Sequence, residues 1–227
     1  MHRQLTAKEI IGWDVKNWSE ALKYWEKLVS TNNKLECLEI GANKGGISLW
    51  LASKGHHVVC NDLHPVSEET LKYHSEFSLK GKIEYQSFDA AQIPFENYFD
   101  IIILKSVMGG IGRAGRNDRI EASIQAIYKA LKPGGMFLFA ENLQGSRLHK
   151  FFRKKFVSWS QDWNYIQKKQ LEKYLECFKE TEIRTTGFAG AFGFNEVSRN
   201  LLGNLDSIFF NKLPESYHYI IYGHAKK

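Results

Sequence analysis

Three residues in one short stretch, Glu39, Gly41 and Gly45, have the types and the spacing of a ligand-binding turn. An apolar run before Gly41 predicts a strand, and a periodic apolar run from Gly46 onward predicts a helix. Glycines in such a turn allow a sharp change of direction and a close approach of the backbone to a ligand. A carboxylate at the strand end favours a cation and repels a pyrophosphate. The alternative is a structural corner without a ligand.

A second acidic residue strengthens the ligand-binding interpretation. Asp62 comes 23 residues after Glu39, at the end of a strand predicted over 58–61. Its two carboxylate oxygens can accept hydrogen bonds from both hydroxyls of a ribose. A lone Asp in this place would more often cap a turn or a helix. Together with the glycine turn, however, Asp62 favours contact with a ribose.

The order of these elements resembles the cofactor site of class I S-adenosylmethionine-dependent methyltransferases, and the resemblance covers residues 35–141. An acidic residue stands two positions before the first glycine, Asp62 follows the second strand and Asp89 follows the third. A helix, the sequence LKPGG and a strand that ends at Glu141 complete the pattern. The resemblance implies S-adenosylmethionine as cofactor and S-adenosylhomocysteine as product. S-adenosylmethionine carries a sulfonium and an ammonium and no phosphate, which agrees with the charge of the turn.

The resemblance also implies a fold and a set of cofactor contacts. The expected fold is α/β and Rossmann-like: a seven-stranded, mostly parallel sheet with an antiparallel last strand and helices on both faces. The acidic side chain after the third strand is expected to bond the adenine amino group. Lys105 follows an apolar run at the carboxyl edge of the sheet, where open α/β folds bind ligands. The implied cofactor-binding residues are Glu39, Gly41, Ala42, Asn43, Gly45, Asp62, Leu63, Asp89, Ala90 and Lys105.

Two residues are candidates for a general base, because transfer of a methyl group to an oxygen benefits from one. Glu141 ends the fifth predicted strand, and His149 lies in a basic segment that follows it. The unperturbed pKa of histidine suits the task better. Alternatively, Glu141 caps the next turn and His149 is a surface residue. No group of residues has the spacing of metal ligands, so no metal is predicted.

Two further segments belong to the single domain predicted for 1–227. Residues 6–30 predict a helical cap, which either packs on the sheet or covers the cleft. Residues 145–166 predict an insertion or lid in which basic and aromatic residues alternate. For 147–165 we consider a lid over the active site, contact with membrane lipid or a lipid-linked substrate, and contact with nucleic acid. Nucleic acid is the least favoured of the three.

The charge of the chain favours anionic partners without choosing among them. The 227 residues carry a net charge of +6 and the isoelectric point is about 9.1. The glycine- and arginine-rich stretch 108–119 predicts a basic loop in which Arg113 or Arg116 meets an anionic group of a substrate. The chain shows neither a signal-peptide core nor a membrane-spanning run, so a cytoplasmic protein is expected. An odd number of cysteines predicts free thiols, which are Cys37, Cys60 and Cys177.

The acceptor is predicted from a narrower resemblance. The second half is similar to small bacterial methyltransferases of surface-polysaccharide gene clusters, which implies O-methylation of a saccharide or another small-molecule hydroxyl, lipid-linked or anionic. One rival is an NAD-dependent sugar reductase or epimerase, since Tyr128 and Lys132 have the required spacing. Against it, Lys132 directly precedes Pro133, and Ile47 replaces a required glycine. The other rival is a catalytically silent protein that only binds the cofactor.

Overall fold

A seven-stranded sheet forms the centre of the protein within the described residues, which are 3–29, 32–157 and 162–227 of a computed structural model. The strands are β1 (Glu36–Ile40), β2 (His57–Asp62), β3 (Lys82–Ser87), β4 (Phe99–Lys105), β5 (Leu131–Asn142), β6 (Glu180–Thr186) and β7 (Ile220–Lys226). Their order is β3-β2-β1-β4-β5-β7-β6. Strands β1 to β5 are parallel, and β7 is antiparallel to both of its neighbours. The predicted sheet, including its antiparallel last strand, is confirmed.

Helices cover both faces of this sheet, as predicted. They are α1 (Ala7–Ile11), α2 (Val15–Leu28), α3 (Gly46–Ser53), α4 (Glu68–Ser75), α5 (Met108–Ile111), α6 (Asn117–Ala130), α7 (Arg147–Phe156), α8 (Lys168–Tyr174) and α9 (Glu196–Ile208). One apolar core joins α1, α2 and α3 to one face, and a second core joins α6 and α8 to the other. Strand β4 contributes alternate residues to the two cores, which explains its continuous apolar sequence.

The predicted helical cap over 6–30 is two helices rather than one. The chain leaves α1 at Gly12 with φ +89° and enters α2 through Asp14 with φ +46°. The carboxylate of Glu196 accepts the N–H groups of Asp14 at 2.9 Å and Val15 at 2.8 Å, which fixes the break. Residue 30 lies outside the described residues. The break allows α2 to bury Trp18 and its other aromatic residues against the sheet.

The junction between α6 and β5 also differs from the prediction. Helix α6 begins at Asn117 and ends at Ala130, whereas the sequence pattern predicts a helix over 120–132. The residue before a proline is disfavoured in helical conformation, so Lys132 cannot continue the helix into Pro133. Instead, Leu131 is extended and pairs with Phe99 of β4. Strand β5 therefore begins at Leu131, which is the first residue of the LKPGG sequence.

A buried carboxylate attaches α9 to the rest of the molecule. Asp206 is fully buried, and its oxygens accept the N–H groups of Ala189 at 2.6 Å and Gly190 at 2.8 Å. The side-chain amide of Asn17 on α2 donates to the same carboxylate at 2.9 Å. Without Asp206, the buried N–H groups of Ala189 and Gly190 would lose this acceptor, and the Asn17 amide would lose one of its acceptors. We call the connected side chains the polar cluster; its members are Asp14, Asn17, Asp206 and Tyr219.

The other half of the polar cluster contains a second buried acid. Asn17 donates to the Tyr219 hydroxyl at 2.9 Å, and this hydroxyl donates to the carboxylate of Asp14. Burial raises the pKa of Asp14 to about 7, because an apolar environment disfavours the charged form. Strand β7, helix α2 and helix α9 are thus joined by polar contacts that exclude water.

The raised pKa of Asp14 predicts a pH dependence of stability. A folded-state pKa above the unfolded value stabilises the protein at low pH, and this contribution is lost as the pH rises through about 7. We expect Asp14→Asn to reduce the fall in the free energy of unfolding between pH 4 and pH 7, measured by urea denaturation. Asparagine tolerates the left-handed backbone of this position. Identical pH slopes for the two proteins would contradict the prediction.

Candidate active site

A cavity of about 410 Å³ opens at the carboxyl ends of β1, β2 and β4, and we call it the edge cavity. The sheet order reverses between β1 and β4, and ligands of open α/β sheets bind at such a switch point. Among the predicted cofactor residues, those that line the edge cavity are Gly41, Asp62, Leu63, Asp89 and Ala90. The prediction for these residues thus matches their position in the fold.

The glycine turn lies close to two side chains of the protein, those of Val107 and His74. Gly41 has φ +66°, and a Cβ atom there would lie 2.6 Å from Val107. Gly45 has φ +62°, and a Cβ atom would lie 2.6 Å from His74. Asn43 between them is also left-handed, with φ +50°. Only glycine fits the first two positions without displacing neighbours on the opposite wall.

Asp62 holds the turn and faces the edge cavity. Its Oδ2 accepts the N–H of Asn43 at 2.8 Å, and its Oδ1 accepts the N–H of Leu63 at 2.7 Å. Each carboxylate oxygen has further acceptor capacity beyond these bonds. The side chain is therefore fixed in orientation while it remains able to accept two ribose hydroxyls.

Asp89 lies at the other end of the edge cavity, in contact with an arginine that sequence reasoning missed. Its Oδ1 accepts the N–H of Ala91 at 2.9 Å, and Arg119 pairs with Oδ2. Burial would raise the pKa of Asp89, but the Ala91 N–H and the Arg119 guanidinium hold it below its usual value. Arg116 lines the same cavity. The sequence analysis places Arg119 at the end of the basic loop 108–119 and singles out Arg113 and Arg116 there, whereas the structure places Arg119 in the first turn of α6.

Glu39 occupies a different place from the predicted one. It is buried and does not line the edge cavity. Its Oε2 accepts the backbone N–H of Ser48 at 2.7 Å and the Ser48 hydroxyl at 2.5 Å. Burial raises the pKa of Glu39 to about 7. The carboxylate satisfies free N–H groups in the first turn of α3, so its role in this structure is to hold the glycine turn against that helix.

Lys105 also points away from the edge cavity. It extends from β4 toward α2, where its ammonium lies 4.5 Å from the ring centre of Trp18 and 5.4 Å from that of Trp13. Burial lowers the pKa of Lys105 to about 8, although Glu141 and Glu39 favour the charged form. The predicted contact of this side chain with the cofactor is replaced by a cation–π arrangement behind the cavity wall.

Glu141 anchors the wall of the edge cavity from behind, because it is fully buried and lines neither cavity. Its Oε2 accepts the N–H groups of Val107 at 2.7 Å and Met108 at 2.6 Å, and its Oε1 accepts the N–H of Asn142 at 2.9 Å. Burial raises the pKa of Glu141. These contacts agree with the alternative prediction, in which Glu141 caps the neighbouring turn, better than with the prediction that Glu141 is a general base.

His149 is likewise a structural residue here, which corrects its prediction as a base. It is buried, and its Nε2 lies 2.8 Å from the carbonyl oxygen of Phe188. Its Nδ1 lies 2.9 Å from the hydroxyl of Ser146, whose N–H donates to the same nitrogen at 3.1 Å. Burial lowers the pKa of His149 to about 4. With both ring nitrogens engaged, it connects α7 to the segment after β6 instead of facing either cavity.

A second cavity, of about 240 Å³, lies on the α2 side of the sheet, and we call it the aromatic cavity. Its walls contain rings from four separate parts of the chain, including Trp13 before α2, Phe152 on α7 and Tyr219 before β7. Three polar side chains reach the same space, namely Asn142, Arg153 and Arg199. Helix α7 contributes Phe152, Arg153 and Phe156 to the wall of this cavity. The lid over 145–166 stays a prediction, and residues 158–161 of that segment lie outside the described residues.

One hydrogen bond links a wall residue of the edge cavity to a wall residue of the aromatic cavity. Ser106 lines the edge cavity, Asn142 lines the aromatic cavity, and the Asn142 amide donates to the Ser106 hydroxyl at 2.7 Å. Ser106 has φ +57°, a strained conformation for a residue other than glycine. Such strain persists where the surrounding structure enforces it, frequently at functional sites. A ligand in each cavity would approach the other at this bond.

The described residues contain neither a metal-binding cluster nor a helix that could span a membrane. Within ranges 3–29, 32–157 and 162–227, no group of three or more His, Cys, Asp or Glu residues is arranged to hold a metal ion. No helix in that part of the chain has the length and apolar character needed to cross a membrane. All three cysteines fall within it and are free thiols, as predicted.

The chain is similar to known methyltransferases in part of its sequence. Residues 38–139 match the family model described as "Methyltransferase domain". Demethylmenaquinone methyltransferase of Leptospira interrogans is 29% identical over 142 residues, which are 59% of this chain and 50% of that protein. The chain thus spans about half the length of the curated relatives it matches.

Solved structures share the fold. Phosphoethanolamine N-methyltransferase 2 of Haemonchus contortus, in complex with S-adenosyl-L-methionine, has a TM-score of 0.61 at 19% identity and covers 92% of this chain and 52% of that one. The 1,6-didemethyltoxoflavin-N1-methyltransferase of Burkholderia thailandensis, with bound S-adenosylhomocysteine, has a TM-score of 0.59 at 13% identity and covers 92% and 76%. The fold is the Rossmann-like fold of S-adenosylmethionine-dependent methyltransferases.

The comparisons thus show a match to a methyltransferase domain over residues 38–139 and a fold shared with solved methyltransferases. They give no support to the rival reductase, and neither does the geometry. Lys132 pairs with Asp100 at 2.9 Å, and the Tyr128 ring packs on Phe178. Both residues of the reductase pattern therefore have structural partners.

Proposed function

We propose that the protein transfers a methyl group from S-adenosylmethionine in the edge cavity to a small molecule in the aromatic cavity. The observation that carries this proposal is the Asn142–Ser106 hydrogen bond, because it puts a wall residue of the aromatic cavity in contact with a wall residue of the edge cavity. A cofactor site alone would suit a silent binding protein. A second, separately lined cavity that meets the first gives the acceptor a place beside the cofactor.

Each wall of the edge cavity has a part in holding the cofactor. Asp62 accepts the ribose hydroxyls, and the turn at Gly41 brings backbone N–H groups close to the ligand. Asp89, together with Arg119, borders the adenine end. When bound, S-adenosylmethionine supplies an activated methyl group. Glu39 and Glu141 do not contact the cofactor in this proposal. They hold the turn and the cavity wall in place by accepting backbone N–H groups.

Orientation of the acceptor is the main contribution of the aromatic cavity. Alignment of two reactants at near-attack distance can supply several kcal/mol, about 7–11 in well-oriented systems. Because Glu141 and His149 are engaged elsewhere, we assign the positioning role to Asn142, whose amide carries a second donor and an acceptor. The acceptor is a hydroxyl of a saccharide or another small molecule, which releases its proton to water as its oxygen gains the methyl group. Aromatic walls stack on the apolar face of a sugar ring.

A second candidate acceptor is a quinol-type ring. It is favoured by the relative in Leptospira interrogans, which is named for demethylmenaquinone, together with the aromatic walls of the cavity. Such an acceptor would be lipid-linked. Exposed apolar side chains on the basic helix α7, namely Leu148, Phe151 and Phe156, would then contact the membrane surface, from the cytoplasmic side.

Substitution of Asn142 tests the proposed function. With methyl-labelled S-adenosylmethionine and a small-molecule extract of bacterial cells, we expect the wild type to release S-adenosylhomocysteine and to label an acceptor. Asn142→Leu keeps a similar volume without the amide, so we expect about a tenfold or greater loss of labelling. Calorimetry should show unchanged affinity for S-adenosylhomocysteine in the same variant.

Two results would contradict the proposal. One is calorimetric binding of NAD without binding of S-adenosylmethionine, which would restore the reductase. The other is equal labelling by wild type and Asn142→Leu, which would remove the aromatic cavity from the reaction.

A further inference from the structure

The charge of the aromatic cavity specifies its ligand more closely than its shape does. The charged side chains among the described residues that line it are Arg153 and Arg199, and no Asp or Glu accompanies them. We infer that the aromatic cavity binds an anionic group, a carboxylate or phosphate, attached to a ring that stacks on the aromatic walls. This inference rests on the proposed function where it calls the ligand a methyl acceptor.

Arg199 has a fixed position and a charge that no carboxylate neutralises by direct pairing. Its Nε donates to the carbonyl of Gly193 at 3.1 Å, and its guanidinium carbon lies 5.5 Å from the ring centre of Trp13. No ion pair of Arg199 occurs among residues 3–29, 32–157 and 162–227. The guanidinium presents further N–H donors beyond the Nε–H.

The acids nearest to Arg199 are committed to other contacts. The two carboxylate oxygens of Glu196 accept the N–H groups of Asp14 and Val15, at 2.9 and 2.8 Å. Asp14 accepts hydrogen bonds from Tyr219 and Asn17 within the polar cluster. Burial raises the pKa of Asp14 to about 7, so its negative charge is reduced near neutral pH. Arg199 favours the charged form of Asp14 electrostatically, but within the described residues it forms an ion pair with neither Asp14 nor Glu196, so its guanidinium keeps N–H donors for a ligand.

Arg153 adds a second positive charge on a rigid support. Its Nη1 donates to the carbonyls of Leu143 at 2.9 Å and Gln144 at 3.0 Å, and its guanidinium lies over the ring of Tyr165 at 3.9 Å. A guanidinium stays protonated in proteins. Arg153 therefore places a second guanidinium in the wall that contains Arg199.

Arginine and aromatic rings together recognise a definite chemistry. A guanidinium matches the planar oxygens of a carboxylate or phosphate, and such charge-assisted bonds are stronger than neutral ones. The rings of Trp13, Phe152 and Tyr219 offer flat apolar surface within the same space. Such a ligand would share this space with the side chain of Asn142, which lines the same cavity.

Fluorine NMR with three matched probes tests the subsite directly. The probes are 4-fluorobenzoate, 4-fluorophenyl phosphate and the neutral 4-fluorobenzyl alcohol, and line broadening gives each dissociation constant. We expect at least one anion to bind about tenfold or more tightly than the alcohol, because a hydrogen bond to a charged group is worth more than a neutral one. The tighter of the two anions identifies the carboxylate or the phosphate as the recognised group.

Variants assign the preference to Arg199. Arg199→Gln should abolish the preference for the anion, and Arg199→Lys should retain part of it because lysine keeps the charge. Arg184→Gln is the matched control, since Arg184 is an exposed arginine on β6 that pairs with Glu182. Equal binding of anions and alcohol to the wild type, or an unchanged preference in Arg199→Gln, would overturn the inference.

The same samples separate this inference from the proposed function. Calorimetry with S-adenosylhomocysteine reports on the edge cavity alone. Arg199-dependent binding of an anionic probe without binding of S-adenosylhomocysteine would keep the anion subsite and reject methyl transfer. Binding of S-adenosylhomocysteine without a preference for anionic probes would keep the methyltransferase and reject the subsite.

Discussion

Replacement of Asp62 by alanine will weaken binding of S-adenosylmethionine about 100-fold or more, while the protein remains folded. Asp62 fixes the turn through the N–H groups of Asn43 and Leu63 and still offers acceptor capacity to the edge cavity. Loss of two charge-assisted hydrogen bonds, at about 1.5–3 kcal/mol each, accounts for the magnitude. Isothermal titration calorimetry with S-adenosylmethionine and S-adenosylhomocysteine gives the measurement.

Two control variants define the origin of this loss. Asp62→Asn keeps one acceptor oxygen and should retain part of the affinity. Asp118→Asn removes the charge of an exposed aspartate on α6 and should leave the affinity unchanged. If Asp62→Ala binds both ligands as tightly as the wild type, the edge cavity is not the cofactor site.

Replacement of Asp206 by alanine should cause the largest loss of stability among the substitutions considered, about 3–5 kcal/mol, because buried partners lose their acceptor together. The N–H groups of Ala189 and Gly190 and the amide of Asn17 all donate to this carboxylate. Urea denaturation followed by circular dichroism gives the free energy of unfolding. Helix α9 should be released first, since it provides the carboxylate.

The control for this prediction comes from the same part of the fold. Asp206→Asn retains one oxygen acceptor and should be less destabilising than alanine. Glu26→Ala removes an exposed side chain of α2 and should change the free energy of unfolding by less than about 0.5 kcal/mol. A loss of similar size in Asp206→Ala and Glu26→Ala would show that the polar cluster contributes little.

The sequence predicts the sheet and one side of the site well, because the signals there are local. Gly41 and Asp62 each lie at the end of an apolar run, and parallel strands bring such ends to a common edge. Their spacing along the chain therefore corresponds to their spacing in the fold. The same logic applies to Asp89 after β3.

Side-chain direction is where prediction from the sequence fails. Strand β4 is apolar on both faces, so its pattern does not indicate that Lys105 points toward α2. The sequence around His149 is a basic helix, in which a histidine could act as a general base. In the fold, the carbonyl oxygen of Phe188, 39 residues away, contacts its Nε2. Arg199 meets Trp13 only after α9 has packed on α2. These contacts join residues that are far apart in the chain, so they depend on tertiary packing. The periodicity within one helix or strand gives no information about such packing.

The separate origins of the two cavities have an evolutionary consequence. The edge cavity is built mainly from one continuous half of the chain, whereas the aromatic cavity takes Trp13 from near one end and Arg153, Arg199 and Tyr219 from the other half. If the proposed function holds, substitutions in the latter set alter the choice of acceptor while the cofactor elements stay intact. Descendants of one ancestral enzyme would then diversify in substrate through these positions and inherit the methyl donor unchanged.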